Sequence, residues 1–454
     1  MKIHVLKFGG TSMNDHQTWK QVLDIIKKYE YPVVVVSATA RTTRQLIESA
    51  KLAASGKLDH TKSVADEIRT RHQLLVDSFL EEHPHPKNTL IKESCDKKIE
   101  ELANKLKKLL EYVAKTESLE DGMKDAIAAI GEQISSFLLA QCGLAVDMLT
   151  QFIDAKKIIK TDTEYGKANP NRGLINQKSG AIETILDSGF TPIIGGFYGE
   201  AQNGTTTTLG FEGSDYSASL IGGALNAEAI EIWTDVSGIY TSDPRFITDA
   251  KPIPELSYFD ATEMAYFGAK VLHPSTLKPA QERNIPVFVK NMFTPDDTGT
   301  KIVRESDHNR KILAMSFKDD IVLLTVSAYE TVMGYSFLTK VFAALEKLRL
   351  PVDAVNTTEA SVTIALSNSE KLDNLSQELI EVGTITMEEK KGLVSLIGCR
   401  ISKVDKLTNN VFSTMGSEEV DMITFTKEKR ILSFVVDEER LVETAQNIHS
   451  KLFN

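Results

Sequence analysis

Short, almost continuous apolar runs separated by helical stretches constrain this chain most. Pro32–Ser37 is β-branched and nearly free of polar residues, and Ile3–Phe8 also reads as a buried strand. Such strands belong in a parallel sheet covered by helices on both faces. Strand-like segments return at Ala145–Leu149, Phe190–Gly195, Ala229–Thr234 and Pro286–Lys290, mostly with helices between them. That is α/β alternation over about the first 300 residues. A helix starts near Asn14 or Asp15, both good caps. Residues 42–142 read as mostly helical, with Lys92–Lys115 a solvated face and His83-Pro84-His85-Pro86 a polar turn rather than a metal site.

The pattern changes after the polar stretches Asp296–Gly299 and Glu305–Arg310, which read as a linker. One unit then runs strand Ile321–Ser327, helix Phe337–Lys347, strands Val352–Asn356 and Ser361–Leu366, and helix Ser369–Glu381. A second runs strand Leu393–Ile397, helix Lys406–Met415, strands Val420–Thr424 and Ile431–Val436, and helix Glu439–Leu452. Val341-Phe342 precedes Val352-Asp353 as Val411-Phe412 precedes Val420-Asp421, the two Val-Asp pairs lying 68 residues apart. The order predicts two ferredoxin-like βαββαβ modules. The expected fold class is therefore an α/β/α sandwich with a mainly parallel sheet over 1–300, followed by modules at 311–385 and 386–454.

Composition narrows the function classes. A formal charge of −11 over 454 residues opposes general binding to nucleic acid or an anionic membrane. Cys95, Cys142 and Cys399 are odd in number and form no CxxC pair, so neither a zinc site nor a disulfide framework is expected. The N-terminus lacks an apolar signal region, and runs such as Pro32–Val36 are too short to span a bilayer. A cytoplasmic, multi-domain protein is expected.

Four clusters carry chemistry. Lys7-Phe8-Gly9-Gly10-Thr11-Ser12 follows a strand. Its glycines let backbone N–H groups approach an anion, although the same residues suit a plain strand-to-helix turn. Gly204–Gly210 holds four threonines, read as a polar hinge, and Gly213-Ser214-Asp215 then opens a helix whose N-terminus attracts phosphate. Asp215 alone would suit a cap. Trp233–Arg245 ends a strand in Thr234-Asp235 and turns towards Tyr240, where nucleotides sit in open α/β sheets. Phe267–Pro274 offers Lys270 to phosphates.

Together and in this order, the motifs resemble the aspartokinases, most closely the monofunctional lysine-sensitive kind. The matching runs are LKFGGTSM (6–13), VVVVSA (33–38), GEQISS (131–136), GGFYGE (195–200), TTTTLG (205–210), GSDYSAS (213–219), IWTDVSGIYTSDPR (232–245), FGAKVLHP (267–274), FLTKVF (337–342) and VDAVNTTEASVT (352–363). The resemblance spans essentially the whole chain. It implies an amino-acid-kinase fold, two C-terminal ACT domains, and phosphorylation of the L-aspartate side chain by ATP with Mg2+. It further implies that Lys7 and Asp215 are catalytic and that Gly9, Gly10 and Ser214 donate to phosphates. Thr234, Asp235, Tyr240, Arg245 and Lys270 match nucleotide positions, while Glu132 matches the carboxylate that holds the substrate ammonium. Ser37, Ala38, Thr43 and Phe197 match the substrate pocket.

One departure concerns the substrate. Phe211 stands where the family has an arginine for a substrate carboxylate, and an apolar ring makes no such bond. Arg41 and Arg44 appear beside the pocket instead, and one of them is expected to supply the missing guanidinium. The alternative places both on an exposed helix start. The resemblance also implies an amino-acid effector site at Met333, Phe337, Leu338, Val352, Asp353, Thr357, Thr358 and Glu359. The altered loop at 328–335 leaves lysine, threonine or neither as effector. ACT sheet edges imply a homodimer. Two other readings are a kinase with a different acceptor and a non-catalytic amino-acid-sensing subunit.

Overall fold

The protein is described by a computed structural model covering all residues except 267–271, 273, 307–311, 330–334, 369–370, 399–406, 416–418, 427–429 and 454. At 58–62, 335, 408 and 426 only the backbone is described. The chain forms two compact units. The first comprises Met1–Ile239, Pro254–Tyr258 and Leu272–Ser306; the second comprises Tyr240–Ile253, Phe259–Val271 and Asp307–Asn454.

The first unit carries β1 (Ile3–Phe8), β2 (Tyr31–Val36), β3 (Thr150–Ile153), β4 (Lys160–Thr161), β5 (Thr191–Gly195), β6 (Tyr198–Ala201), β7 (Thr206–Thr208) and β8 (Ala229–Thr234). The chain leaves it within β9 (Ile239–Tyr240), which pairs with β10 (Pro252–Ile253). It returns for β11 (Glu255–Ser257), β12 (Val287–Asn291) and β13 (Thr300–Val303). Helices α1 (His16–Ile26), α2 (Thr42–Ala54), α3 (Leu58–Glu82), α4 (Asn88–Thr116), α5 (Asp121–Ala128) and α6 (Ile130–Leu144) precede β3. Then come α7 (Arg172–Lys178), α8 (Gly180–Asp187), α9 (Gly213–Leu225) and α11 (Pro274–Arg283), whereas α10 (Tyr258–Tyr266) belongs to the second unit from Phe259 onward.

Eight strands form one sheet in the order β11-β13-β12-β8-β1-β2-β5-β3. All neighbours are parallel except β12 and β13. The four valines of β2 are fully buried, as a strand between two helical layers requires. Asp15 opens α1 with a capping box: its Oδ1 accepts from Thr18 N at 2.8 Å, and its own N–H donates to Thr18 Oγ1 at 3.0 Å.

Several expectations are corrected. The strand foreseen at Ala145–Leu149 lies at Thr150–Ile153, because α6 runs to Leu144 and the next residues turn. Asp296–Gly299 is no linker: it closes the β12–β13 hairpin within the first unit. The threonine hinge is a buried strand, β7, paired antiparallel with β6. Asp121–Leu144 is long and apolar enough by composition to cross a membrane, but its most apolar window is 83% buried in the unit and forms core helix.

In the second unit, β14 (Ala314–Ala328), β15 (Val352–Thr357), β16 (Ser361–Ser367), β17 (Gly383–Ile397), β18 (Met422–Thr426) and β19 (Ile431–Asp437) form one antiparallel sheet in the order β15-β16-β14-β17-β19-β18. Helices α12 (Tyr335–Leu348), α13 (Leu372–Leu379), α14 (Leu407–Met415) and α15 (Glu438–Phe453) complete it. The two βαββαβ modules are present but interlocked. Ile321–Ala328 and Gly383–Glu388 serve one module, whereas Ala314–Lys318 and Lys391–Ile397 serve the other. The expected seam at 385/386 therefore falls inside a continuous strand. The register shifts between Lys318 and Leu323, where Asp320 takes φ 53° and Lys390 φ 56°.

Candidate active site

Parallel strands deliver their carboxyl ends to one edge of the sheet. Here Gly9 N donates to Trp233 O at 3.4 Å, Ser37 N to Phe8 O at 3.1 Å and Gly196 N to Val36 O at 2.8 Å. These bonds tie together the loops that leave β1, β2, β5 and β8. A cavity of about 520 Å³ opens there.

Lys7 closes one side of it. Its Nζ lies 2.7 Å from Asp215 Oδ1, and the residues are only 8% and 7% exposed. Asp215 sits in the first turn of α9, where a negative charge is favoured by the helix dipole. Gly213 and Ser214, at the same helix start, also line the cavity. A Cβ on Gly196 would stand 2.7 Å from Ser214 Cα, so a glycine there lets α9 approach the end of β5. Phe197 (φ 70°) and Glu212 (φ 52°) hold left-handed backbone beside the cavity, a strained conformation of the kind that collects at functional sites.

Glu132 on α6 faces the same space and is 3% exposed. Burial pushes its carboxyl up to about 8, against the N–H of Ala38, which favours the charged form. Its Oε2 has no partner among the described residues. A buried carboxylate with one open oxygen is suited to an arriving ammonium. The Gly131 beside it allows close packing: a Cβ there would meet the Ala38 Cβ at 2.8 Å.

The structure thus brings Lys7, Ser37, Thr43, Glu132, Phe197, Ser214 and Asp215 around one cavity. Gly9 lies beside the lysine, with a Cβ position 3.5 Å from Lys7 Nζ, and Gly10 lies against the Ala38 carbonyl. Thr234 and Asp235 end β8 and bond to each other at 3.2 Å. Tyr240 and Arg245 belong to the second unit, where Arg245 Nη2 binds Asp243 Oδ2 at 2.6 Å. Lys270 and Met333 lie outside the described residues.

The expected arginine substitution is not what the structure shows. Arg41 takes φ 68° at the start of α2 and is exposed, while Arg44 binds Glu48 at 2.8 Å with its side chain 83% exposed. Neither lines the cavity. The helical phase explains this: Thr43 and Ile47 face the cavity, so Arg44 and Glu48 face solvent. Phe211 does line it, 81% exposed. Sequence reasoning passed over Lys124 and Asp125, both in the wall. Asp125 accepts from Thr208 N (2.7 Å), Thr208 Oγ1 (2.8 Å) and Gly166 N (2.9 Å), stitching α5 to β7. The signal available was a Lys-Asp pair one turn into a helix that precedes the Glu132 helix.

In the second unit Phe337 is core, Leu338 packs against that core, and Val352, Thr357, Thr358 and Glu359 are exposed on or beside edge strand β15. Asp353 is already engaged. It pairs with Lys318, and Ser367 Oγ donates to its Oδ2 at 3.1 Å. Asp421, its counterpart in the repeat, pairs with Lys391 at 2.8 Å.

Comparison with known proteins agrees with this geometry. The model of the Amino acid kinase family matches residues 2–291. Lysine-sensitive aspartokinase 3 of Escherichia coli (strain K12) is 32% identical over 467 residues, covering 100% of this chain and 99% of that protein. Aspartokinase 3, chloroplastic, of Arabidopsis thaliana is 31% identical over 477 residues, covering 99% and 81%. The crystal structure of E. coli aspartokinase III with aspartate and ADP (R-state) superposes with a TM-score of 0.82 at 31% identity, covering 100% of both chains. The same enzyme with lysine and aspartate (T-state) also gives 0.82. The chain belongs to the amino acid kinase family and, within it, to the aspartokinases.

Proposed function

We propose that this chain transfers the γ-phosphoryl group of ATP to the side-chain carboxylate of L-aspartate, giving ADP and 4-phospho-L-aspartate. This is the first step towards lysine, threonine and methionine. The observation that carries the reading is the buried Lys7–Asp215 pair facing Glu132 and its open oxygen across one cavity.

The nucleophile is ionised at neutral pH, with an ordinary pKa of about 3.9, so no general base is needed. A carboxylate oxygen forms the new O–P bond as the bond to the β-phosphate oxygen breaks, and ADP carries the charge away. The obstacle is repulsion between anions. Lys7 offsets the charge on the transferring group, and Asp215 holds that ammonium in place. The N–H groups at the start of α9 and of Gly10 take the phosphates, whereas the Gly9 N–H is held by Trp233 O and does not serve as the expected donor. Glu132 takes the substrate ammonium. Magnesium enters with the nucleotide as Mg–ATP. Among the described residues no three carboxylate, imidazole or thiolate groups converge on a site of their own.

Phosphoryl transfer is assigned to 1–300 and regulation by lysine or threonine to the modules at 311–385 and 386–454. A homodimer would pair through the free edge at β15, and the protein would work in the cytoplasm. A second reading, a less anionic acceptor, is favoured by Phe211 in the cavity wall. ADP release with Mg–ATP, with and without aspartate and with hydroxylamine as trap, separates them. Aspartate-dependent ADP and hydroxamate are expected. Lys7→Met should lower kcat at least about 100-fold, in line with loss of a charge-stabilising group. ADP release only with another acceptor would overturn the aspartate reading.

A further inference from the structure

Among the described residues, the wall of the cavity is poor in positive charge. Lys7 is neutralised by Asp215, and Arg41 and Arg44 lie outside. Arg71 is committed to Thr42 Oγ1 at 2.7 Å and Gln45 Oε1 at 3.2 Å. Glu212 adds negative charge but has a partner of its own, and Glu132 adds it once ionised. An amino acid with two carboxylates entering this space leaves one of them without a counter-charge: the carboxylate that is not the nucleophile.

Among the described residues, Lys124 is the remaining cation of the wall. Its side chain makes no hydrogen bond or ion pair with a described residue. The carboxylate that feels its charge, Asp125, has its oxygens taken by Gly166 and Thr208. Those bonds also fix its position. They pin α5 to β7, and β7 runs directly into the Gly210-Phe211 segment of the same wall. Lys124 is half-buried there, so its ammonium costs little to expose and gains much when an anion closes the cavity.

We propose that Lys124 is the residue that binds the non-reacting α-carboxylate of the substrate and so selects a dicarboxylic amino acid. This rests on the aspartate-kinase reading above. The assignment gives each charged group of the substrate one partner: the ammonium to Glu132, the α-carboxylate to Lys124, and the side-chain carboxylate free to meet the phosphate.

The test compares wild type, Lys124→Met and Lys124→Arg. Wild-type turnover with aspartate checks the activity itself, separately from the role of Lys124. A hydrogen bond to a charged group is worth about 1.5–3 kcal/mol, or roughly 10- to 100-fold in affinity. Lys124→Met should raise KM for aspartate by that factor, leave KM for ATP unchanged and change kcat about 3-fold or less. Lys124→Arg should stay within about 3-fold of wild type. The specificity ratio is the sharper readout: wild type should prefer aspartate over its α-amide, and Lys124→Met should lose most of that preference. Calorimetric aspartate binding without nucleotide reads the same contact if turnover is absent. An unchanged KM or Kd in a folded Lys124→Met protein overturns the proposal, as does a retained preference over the amide.

Discussion

Glu132 ties the stability of the fold to pH and, in its proposed role, to substrate binding. Its folded value of about 8 lies above the ordinary 4.5. Between those two values the folded protein holds a proton that the unfolded chain has lost, so stability falls as pH rises through that window. Glu132→Gln removes the slope. Its melting temperature should exceed that of wild type at pH 8 and match it near pH 4.5; equal slopes in thermal scans would refute this. If Glu132 takes the substrate ammonium, as proposed above, aspartate needs that carboxylate charged. Its KM should fall as pH rises from 6 towards 8 and level beyond, and a flat KM profile over that range would count against the role. Lys7 and Asp215 illustrate the complementary case: two buried charges that are tolerable because each has the other, and whose separation would strand one of them.

At the scale of elements, the cavity depends on contacts between a helix and a strand far apart in sequence. Asp125 supplies three hydrogen bonds across that gap. Asp125→Ala would orphan two backbone N–H groups in the wall. The expected cost is of the order of 3–5 kcal/mol, read as a lower denaturation midpoint. Calorimetry showing a loss below about 1 kcal/mol would mean that water replaces the carboxylate. Sequence patterns located the elements whose period is unambiguous. Ile3–Phe8 and Ala229–Thr234 lie where the apolar runs predict, and Asp15 caps α1 as its residue type suggests. The threonine run misled because threonine serves turns and strands alike, and only pairing with β6 decides between them.

At the scale of the molecule, the repeat was visible but its wiring was not. Two Val-Asp pairs mark the modules, yet β14 and β17 each serve both, because each is long enough to pair on either side of its irregular middle. Lys318 and Lys391 sit at that crossing and hold the aspartates of the two pairs. Among the described residues β16 is the only strand hydrogen-bonded to β15, and Val352 on it is 39% exposed. If dimers form through this edge, Val352→Lys should shift the population towards monomer in light scattering and weaken any effector response. A dimer indifferent to this substitution would place the interface elsewhere.

Periodicity, glycine placement and ordered motifs determined the α/β sheet, the paired modules and the family, and singled out Lys7, Glu132 and Asp215 as candidates that the structure places on one cavity. Each of these is written in local residue type and spacing. Tertiary structure alone decided that Arg41 and Arg44 face solvent, that Lys124 enters the cavity wall, and that Asp353 is already paired. Those outcomes depend on helical phase and on contacts between distant segments, which come into being only when the chain closes on itself.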